Sequence, residues 1–128
     1  MKLNFSLSEL IKSDVAKRNN INNFPDVNSL DNLLNLIFYC LQPVRNLLKK
    51  PVIITSGYRN KRLNKLVGGV INSQHISGCA ADFVVFGLEN DKIISLIKQS
   101  SIEFDQLINE KNWIHISYVK NKNRKQIL

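Results

Sequence analysis

Two histidines, His75 and His115, are the only imidazoles in the chain, and each lies in a stretch unlike its surroundings. The first follows Ser56-Gly57-Tyr58-Arg59, Asn64 and Gly68-Gly69, within Ser73-Gln74-His75-x-x-Gly78-x-Ala80-x-Asp82. Polar residues and glycines crowd there against β-rich apolar runs, as a rigidly placed site requires. The second lies in Trp113-Ile114-His115-Ile116-Ser117, where strand alternation puts Trp113, His115 and Ser117 on one face and Ile114 and Ile116 on the other. Two imidazoles and the Asp82 carboxylate are the ligand set of a catalytic zinc site with its fourth position left to water. The same residues equally suit a loop histidine, a strand-edge carboxylate and a hydrogen-bonded, partly buried histidine, and no segment matches an HExxH helix or a CxxC pair. Residue types alone leave both readings standing.

The surrounding elements follow from periodicity and caps. Ser6-x-x-Glu9 is a capping box ahead of Leu7, Leu10, Ile11 and Val15, which predicts a first helix to about Lys17. Asn19 to Asp26 reads as an exposed loop. Over 28–49 the residues Leu30, Leu33, Leu34, Ile37, Leu41, Val44, Leu47 and Leu48 recur at helical spacing, so this is the main core helix. Pro43 should kink or divide it near Leu41-Gln42. Beyond Pro51 four β-rich runs, Val52–Thr55, Ala80–Phe86, Phe104–Ile108 and Trp113–Tyr118, read as one sheet. Asn90–Gln99 is an amphipathic helix capped by Asn90. Asn109-Glu110-Lys111-Asn112 suits a hairpin connection. Helices first and strands later give an α+β class, with N-terminal helices packed on a small antiparallel sheet. Residues 119–128 carry basic side chains and are expected to form a mobile tail.

At 128 residues, 44% hydrophobic and 22% charged, the chain fits a single domain over 1–128. Eighteen Lys+Arg against ten Asp+Glu give +8, which favours an anionic partner: nucleic acid, anionic lipid or a cell-wall polymer. Nucleic acid is the poorest of these, because the basic residues are scattered and no recognition helix or aromatic-rich strand motif is present. No apolar stretch reaches the ~18–20 residues of a membrane span, and the first residues lack the apolar block of a signal peptide, so synthesis in the cytoplasm is expected. Cys40 and Cys79 have neither CxxC spacing nor a disulfide framework and are read as reduced thiols.

Taken together and in this order, the Ser-Gly-Tyr-Arg, Asn64, Gly68-Gly69, Ser-x-His-x-x-Gly-x-Ala-x-Asp and Trp-x-His-x-Ser segments closely resemble the zinc D-Ala-D-Ala carboxypeptidase family, which includes phage endolysin peptidases. The resemblance spans roughly 5–119 and is closest to the small single-domain members. It implies a hedgehog/DD-peptidase-like α+β fold, a Zn2+ cofactor, and a monomer that hydrolyses peptide bonds in peptidoglycan stem peptides. Carried over, His75, Asp82 and His115 match the zinc ligands, and Arg59 matches the arginine that polarises the scissile carbonyl. Ser73 matches a serine close to the bound peptide. Trp113 and Ser117, which share a face with His115, are taken as further substrate contacts.

One position departs from the pattern. Many members carry Glu or Asp three residues before the second histidine, where this chain has Asn112, and an amide cannot take and return a proton. Glu110 is therefore the candidate base, with Asp105 in reserve. A non-catalytic wall-binding or phage structural domain of the same fold is the alternative. A wall hydrolase without a secretion signal needs another exit, which favours phage or prophage origin.

Overall fold

The computed structural model describes residues 2–128. The capping box forms as read: Ser6 Oγ accepts from the Glu9 N–H while the Glu9 carboxylate accepts from the Ser6 N–H, and α1 (Leu7–Ile11) begins there. The helix expected to run on to Lys17 is instead two. The Ser13 side chain captures the Ala16 N–H and starts a new helix, α2 (Asp14–Arg18). Asp26 caps α3 (Val27–Leu36) through the Ser29 N–H.

The long core helix continues from α3 through a π-helical turn over Ile37–Leu41 into α4 (Gln42–Leu48). Pro43 has no N–H to donate backwards, and its ring would strike the carbonyl four residues earlier. The widened turn ahead of it, which ends at the Leu41-Gln42 step where a kink or division was expected, takes up that conflict. Leu33, Leu36, Leu41 and Val44 from this rod are fully buried, each removal from water worth about 1.5–3 kcal/mol.

Five strands follow: β1 (Ile53–Ser56), β2 (Ala80–Val84), β3 (Gln106–Asn109), β4 (Ile114–Ser117) and β5 (Gln126–Ile127). Their order is β1-β2-β4-β3-β5. The first four are antiparallel, but β5 pairs parallel to β3, so the sheet is mixed and not purely antiparallel. The segment 119–128, expected as a mobile tail, folds back. Val119 N–H donates to the Asn123 side chain, Lys122 N–H to the Val119 carbonyl, and the Lys125, Gln126 and Leu128 N–H groups to carbonyls of Phe104, Asp105 and Leu107.

Two helices lie between the strands. The first, α5 (Lys61–Leu66), was not anticipated; it is capped by Asn60 and buries Leu63. The second, α6 (Asn90–Gln99), was, although Asn90 does not cap it. The Asn90 amide instead donates toward Asn109 Oδ1 and the Lys111 and Trp113 carbonyls, tying the β3–β4 hairpin to the start of α6.

One face of the sheet, with Ala81, Phe83, Leu107, Ile114 and Ile116, joins α3, α4 and α6 in the main core. The other face is left for Asp82 and His115. Cys40 and Cys79 are buried free thiols, and burial pushes both away from the thiolate. Among the described residues no helix is long and apolar enough to cross a membrane.

Two stability predictions follow from this frame. Gly78 has φ +79°, and a Cβ there would collide with the Ser29 carbonyl oxygen. Gly78→Ala should therefore lower stability by about 1–3 kcal/mol; an unchanged urea midpoint would show that the turn tolerates a side chain. Asp105 is buried, and its hydrogen bonds with Arg124, opposed by burial and assisted by Gln74, hold the carboxyl at about 2. Its pKa is thus lower folded than unfolded, so its contribution is full above about pH 4 and is lost as pH falls toward 2. Asp105→Asn should lower Tm at neutral pH and flatten the loss of Tm between pH 4 and 2. An identical pH slope in both proteins would remove Asp105 from the account.

Candidate metal centre

Asp82 and His115 face one another because β2 and β4 pair in a register that sets them directly opposite, with Ser56 on β1 beside Asp82 and Ile108 on β3 beside His115. Directly opposed residues of an antiparallel pair share a face at close range. His115 Nδ1 lies 2.9 Å from Asp82 Oδ1. His75 arrives from the loop before β2, buried, with Nε2 at 3.3 Å from the same oxygen. The two imidazole centroids are 5.2 Å apart and the rings meet edge to face.

The loop is held from several sides. His75 Nδ1 lies 2.7 Å from the Gly57 carbonyl, which can only accept, so Nδ1 carries a proton and Nε2 is the nitrogen turned toward Asp82. The Arg59 N–H donates to the His75 carbonyl at 3.1 Å, and His75 N–H donates to Ser73 Oγ at 3.2 Å. Gly57 is a glycine because its backbone presses on the Leu10 carbonyl, leaving no room for a Cβ.

Lone pairs converging in this way repel unless a cation or protons lie among them. Ligands bound at ~2.0–2.1 Å with angles between 90° and 109° are roughly 2.9–3.4 Å apart, the spacing seen around Asp82 Oδ1. Among the described residues His75, Asp82 and His115 form the one such group, one donor atom from each lying within 4.8 Å of the others. The donor set fits a divalent metal of zinc type. Burial tends to raise the Asp82 carboxyl, but hydrogen bonds and charge from His115 and His75 outweigh it and hold the group at about 2, keeping it anionic.

A cavity of about 530 Å³ opens beside the cluster, with Arg59, Ser73, Glu110 and Trp113 in its wall together with the three clustered residues. Burial lowers the Arg59 pKa from its ordinary value, the nearby Asp82 opposes this, and Arg59 Nε is buried without a hydrogen-bond partner. Glu110 sits at the start of the β3–β4 turn, where its N–H donates to the Trp113 carbonyl. Two expected residues lie elsewhere. Ser117 is fully buried, its hydroxyl accepts from the Gln106 N–H, and it does not line the cavity. Asp105 does not line the cavity; its carboxylate is taken up by Arg124 and Gln74.

Sequence reasoning missed two contributors, the Gly57 carbonyl and the Asn90 amide that braces the hairpin, whereas the Gly68-Gly69 pair it singled out does line the cavity. Gly57 lies inside a recognisable motif, but its carbonyl carries no residue-type signal. A second cavity of about 510 Å³, between the α1–α2 junction and β1, shares Arg59 and Val67 with the first, so the depression continues past the arginine.

The sequence model of the family described as peptidase M15 matches residues 3–117. The chain belongs to the peptidase M15 family, the zinc D-Ala-D-Ala carboxypeptidase and endolysin type of metallopeptidase. No curated protein matches it. Peptidases of this family are zinc-dependent hydrolases of peptidoglycan peptides, in keeping with the His-Asp-His group.

His115→Ala should lower zinc affinity on the order of a hundredfold or more, beyond the effect of losing an outer-shell partner. Competition with a chromophoric chelator measures it. Parent-like affinity in the variant would exclude His115 from the metal centre.

Proposed function

We propose that the protein is a zinc peptidase that cuts peptide bonds of peptidoglycan stem peptides, as a D-Ala-D-Ala carboxypeptidase or a stem-peptide endopeptidase of endolysin type. The observation that carries this reading is the approach of His75 and His115 to one Asp82 oxygen, at 3.3 and 2.9 Å, on the wall of a cavity that also holds a guanidinium and a carboxylate. His75 through Nε2, His115 through Nδ1 and Asp82 through Oδ1 would hold the metal. When bound, zinc supplies Lewis-acid polarisation of a carbonyl and acidifies a coordinated water.

The remaining work falls to the chain's own residues. Arg59, half-buried with Nε unpartnered, offers donors to the oxygen of the scissile carbonyl as charge develops on it. Its position between the two cavities also suits it to orient a substrate carboxylate. Glu110, on the same cavity wall, is the base: it takes a proton from the attacking water and passes it to the leaving amine. Its exposed place on the hairpin means the Asn90 brace and the left-handed Lys111 (φ 71°) set where the carboxylate reaches. Trp113, just over a third exposed, gives an apolar wall for the peptide, and Ser73 a hydroxyl at the loop edge. The basic surface draws in carboxylate-rich wall peptides. Release of such an activity to the wall by a phage or prophage lysis route completes the proposal.

Glu110→Gln keeps the shape and removes the base. It should retain zinc and lose on the order of a hundredfold or more in turnover of purified muropeptides followed by mass spectrometry. Parent-rate cleavage by the variant would exclude Glu110. A parent protein that binds zinc and wall peptide yet releases no product would instead mark the Asn112 departure as loss of catalysis.

A further inference from the structure

The segment after β4 lies beyond the 3–117 family match, yet it is bonded into the metal centre's support. Arg124 makes three hydrogen bonds to one carboxylate: its backbone N–H to Asp105 Oδ1 at 3.0 Å, Nε to the same oxygen at 3.0 Å, and Nη2 to Oδ2 at 2.8 Å. Such a fork fixes the carboxylate in direction as well as place. Oδ2 also accepts from Gln74 Nε2 at 2.9 Å. Gln74 immediately precedes His75, and its carbonyl closes the turn by accepting from the Cys79 N–H at 3.0 Å and from Ser77 Oγ at 3.1 Å.

The chain of bonds therefore runs from Arg124 through Asp105 to Gln74 and the backbone that carries His75. Asp105 is 2% exposed, so its orientation is decided by these bonds and not by water. A second path supports the other histidine: Asp105 N–H donates to the Ser117 carbonyl at 2.7 Å, and Ser117 is two residues from His115 on β4. Asp105 thus touches the loop that brings His75 through its carboxylate and the strand that brings His115 through its backbone N–H.

We infer that residues 119–128 are a strap that positions the metal centre, with Arg124, Asp105 and Gln74 as positioning residues for His75. The inference rests on the metal reading of His75, Asp82 and His115 given above. Without Arg124, Asp105 keeps a buried charge with fewer donors, Gln74 loses its fixed acceptor, and the Ser73–Cys79 turn exchanges among conformations that carry His75 Nε2 away from Asp82.

The test is zinc affinity of the full chain by chelator competition, together with amide hydrogen exchange over the Ser73–Cys79 turn of the zinc-free protein. Arg124→Ala and Gln74→Met should each weaken zinc about tenfold or more, the range for outer-shell partners, and speed exchange in the turn. Arg124→Lys, which keeps the charge but not the fork, should recover only part of the loss. A core variant remote from the site, Ile93→Val, brought to the same fall in Tm, should keep parent affinity and parent exchange in the turn. Parent-like zinc affinity and exchange in folded Arg124→Ala would overturn the strap while leaving the metal reading intact. If Arg124→Ala does not fold, Gln74→Met and Arg124→Lys decide by the same two readouts. A parent that binds no zinc would overturn the metal reading and the strap with it.

Discussion

The pairing of β2 with β4 sets Asp82 against His115, and the rest of the molecule is arranged around that opposition. A one-residue slip would turn Asp82 into the core and bring Phe83 to the cavity, exchanging a ligand for a buried aromatic. The slip is resisted by the apolar side of the same strands: Ala81, Phe83, Ile114 and Ile116 are fully buried against the helices. Burial on one face thus holds chemistry on the other. The cost of keeping polar groups close to a core is met by hydrogen bonds, since both imidazoles and the carboxylate have identified neighbours.

His75 differs from the other two in how it is placed. It rides on a loop, and a loop side chain is only as well placed as the backbone bonds beneath it. The Gly57 carbonyl, the Arg59 N–H and the turn closed on Gln74 supply those bonds, and the glycines at 57 and 78 allow the chain to pass where a Cβ would collide with Leu10 or Ser29. The left-handed Gly78 directs the chain from the loop into β2, so that His75 and Asp82, seven positions apart in sequence, meet across one turn. Arg59 links the two cavities from the opposite side and brings a positive charge toward Asp82.

Much of this was legible in the residues, and the failures have physical causes. The capping box, most of the apolar stripe of the core helix, though Leu34 is exposed, and the alternation that turns His115 away from Ile114 and Ile116 are local signals that survive folding. Ser117 shows the limit of alternation, which names a face but not what covers it: the Gln106 N–H claims that hydroxyl. Pro43 announced a disturbance, and the chain answered with a π turn over Ile37–Leu41, a form that residue types alone do not specify. The helix Lys61–Leu66 is too short to show a period, and its Asn60 cap lies in a stretch rich in polar residues of other roles. The two-residue β5 has no apolar alternation at all; it pairs with β3 beside the Arg124–Asp105 contact, made by residues 19 apart in sequence, which composition cannot show.

The central claim is that two imidazoles and one carboxylate hold a single zinc ion on the sheet face left free by the core. Zinc K-edge X-ray absorption on protein loaded with one equivalent of metal tests it directly. The expected spectrum has a first shell of nitrogen and oxygen at ~2.0–2.1 Å and the outer-shell scattering of two imidazoles, with no sulfur. A sulfur shell at ~2.3 Å, a single imidazole, or no stoichiometric metal would contradict the account.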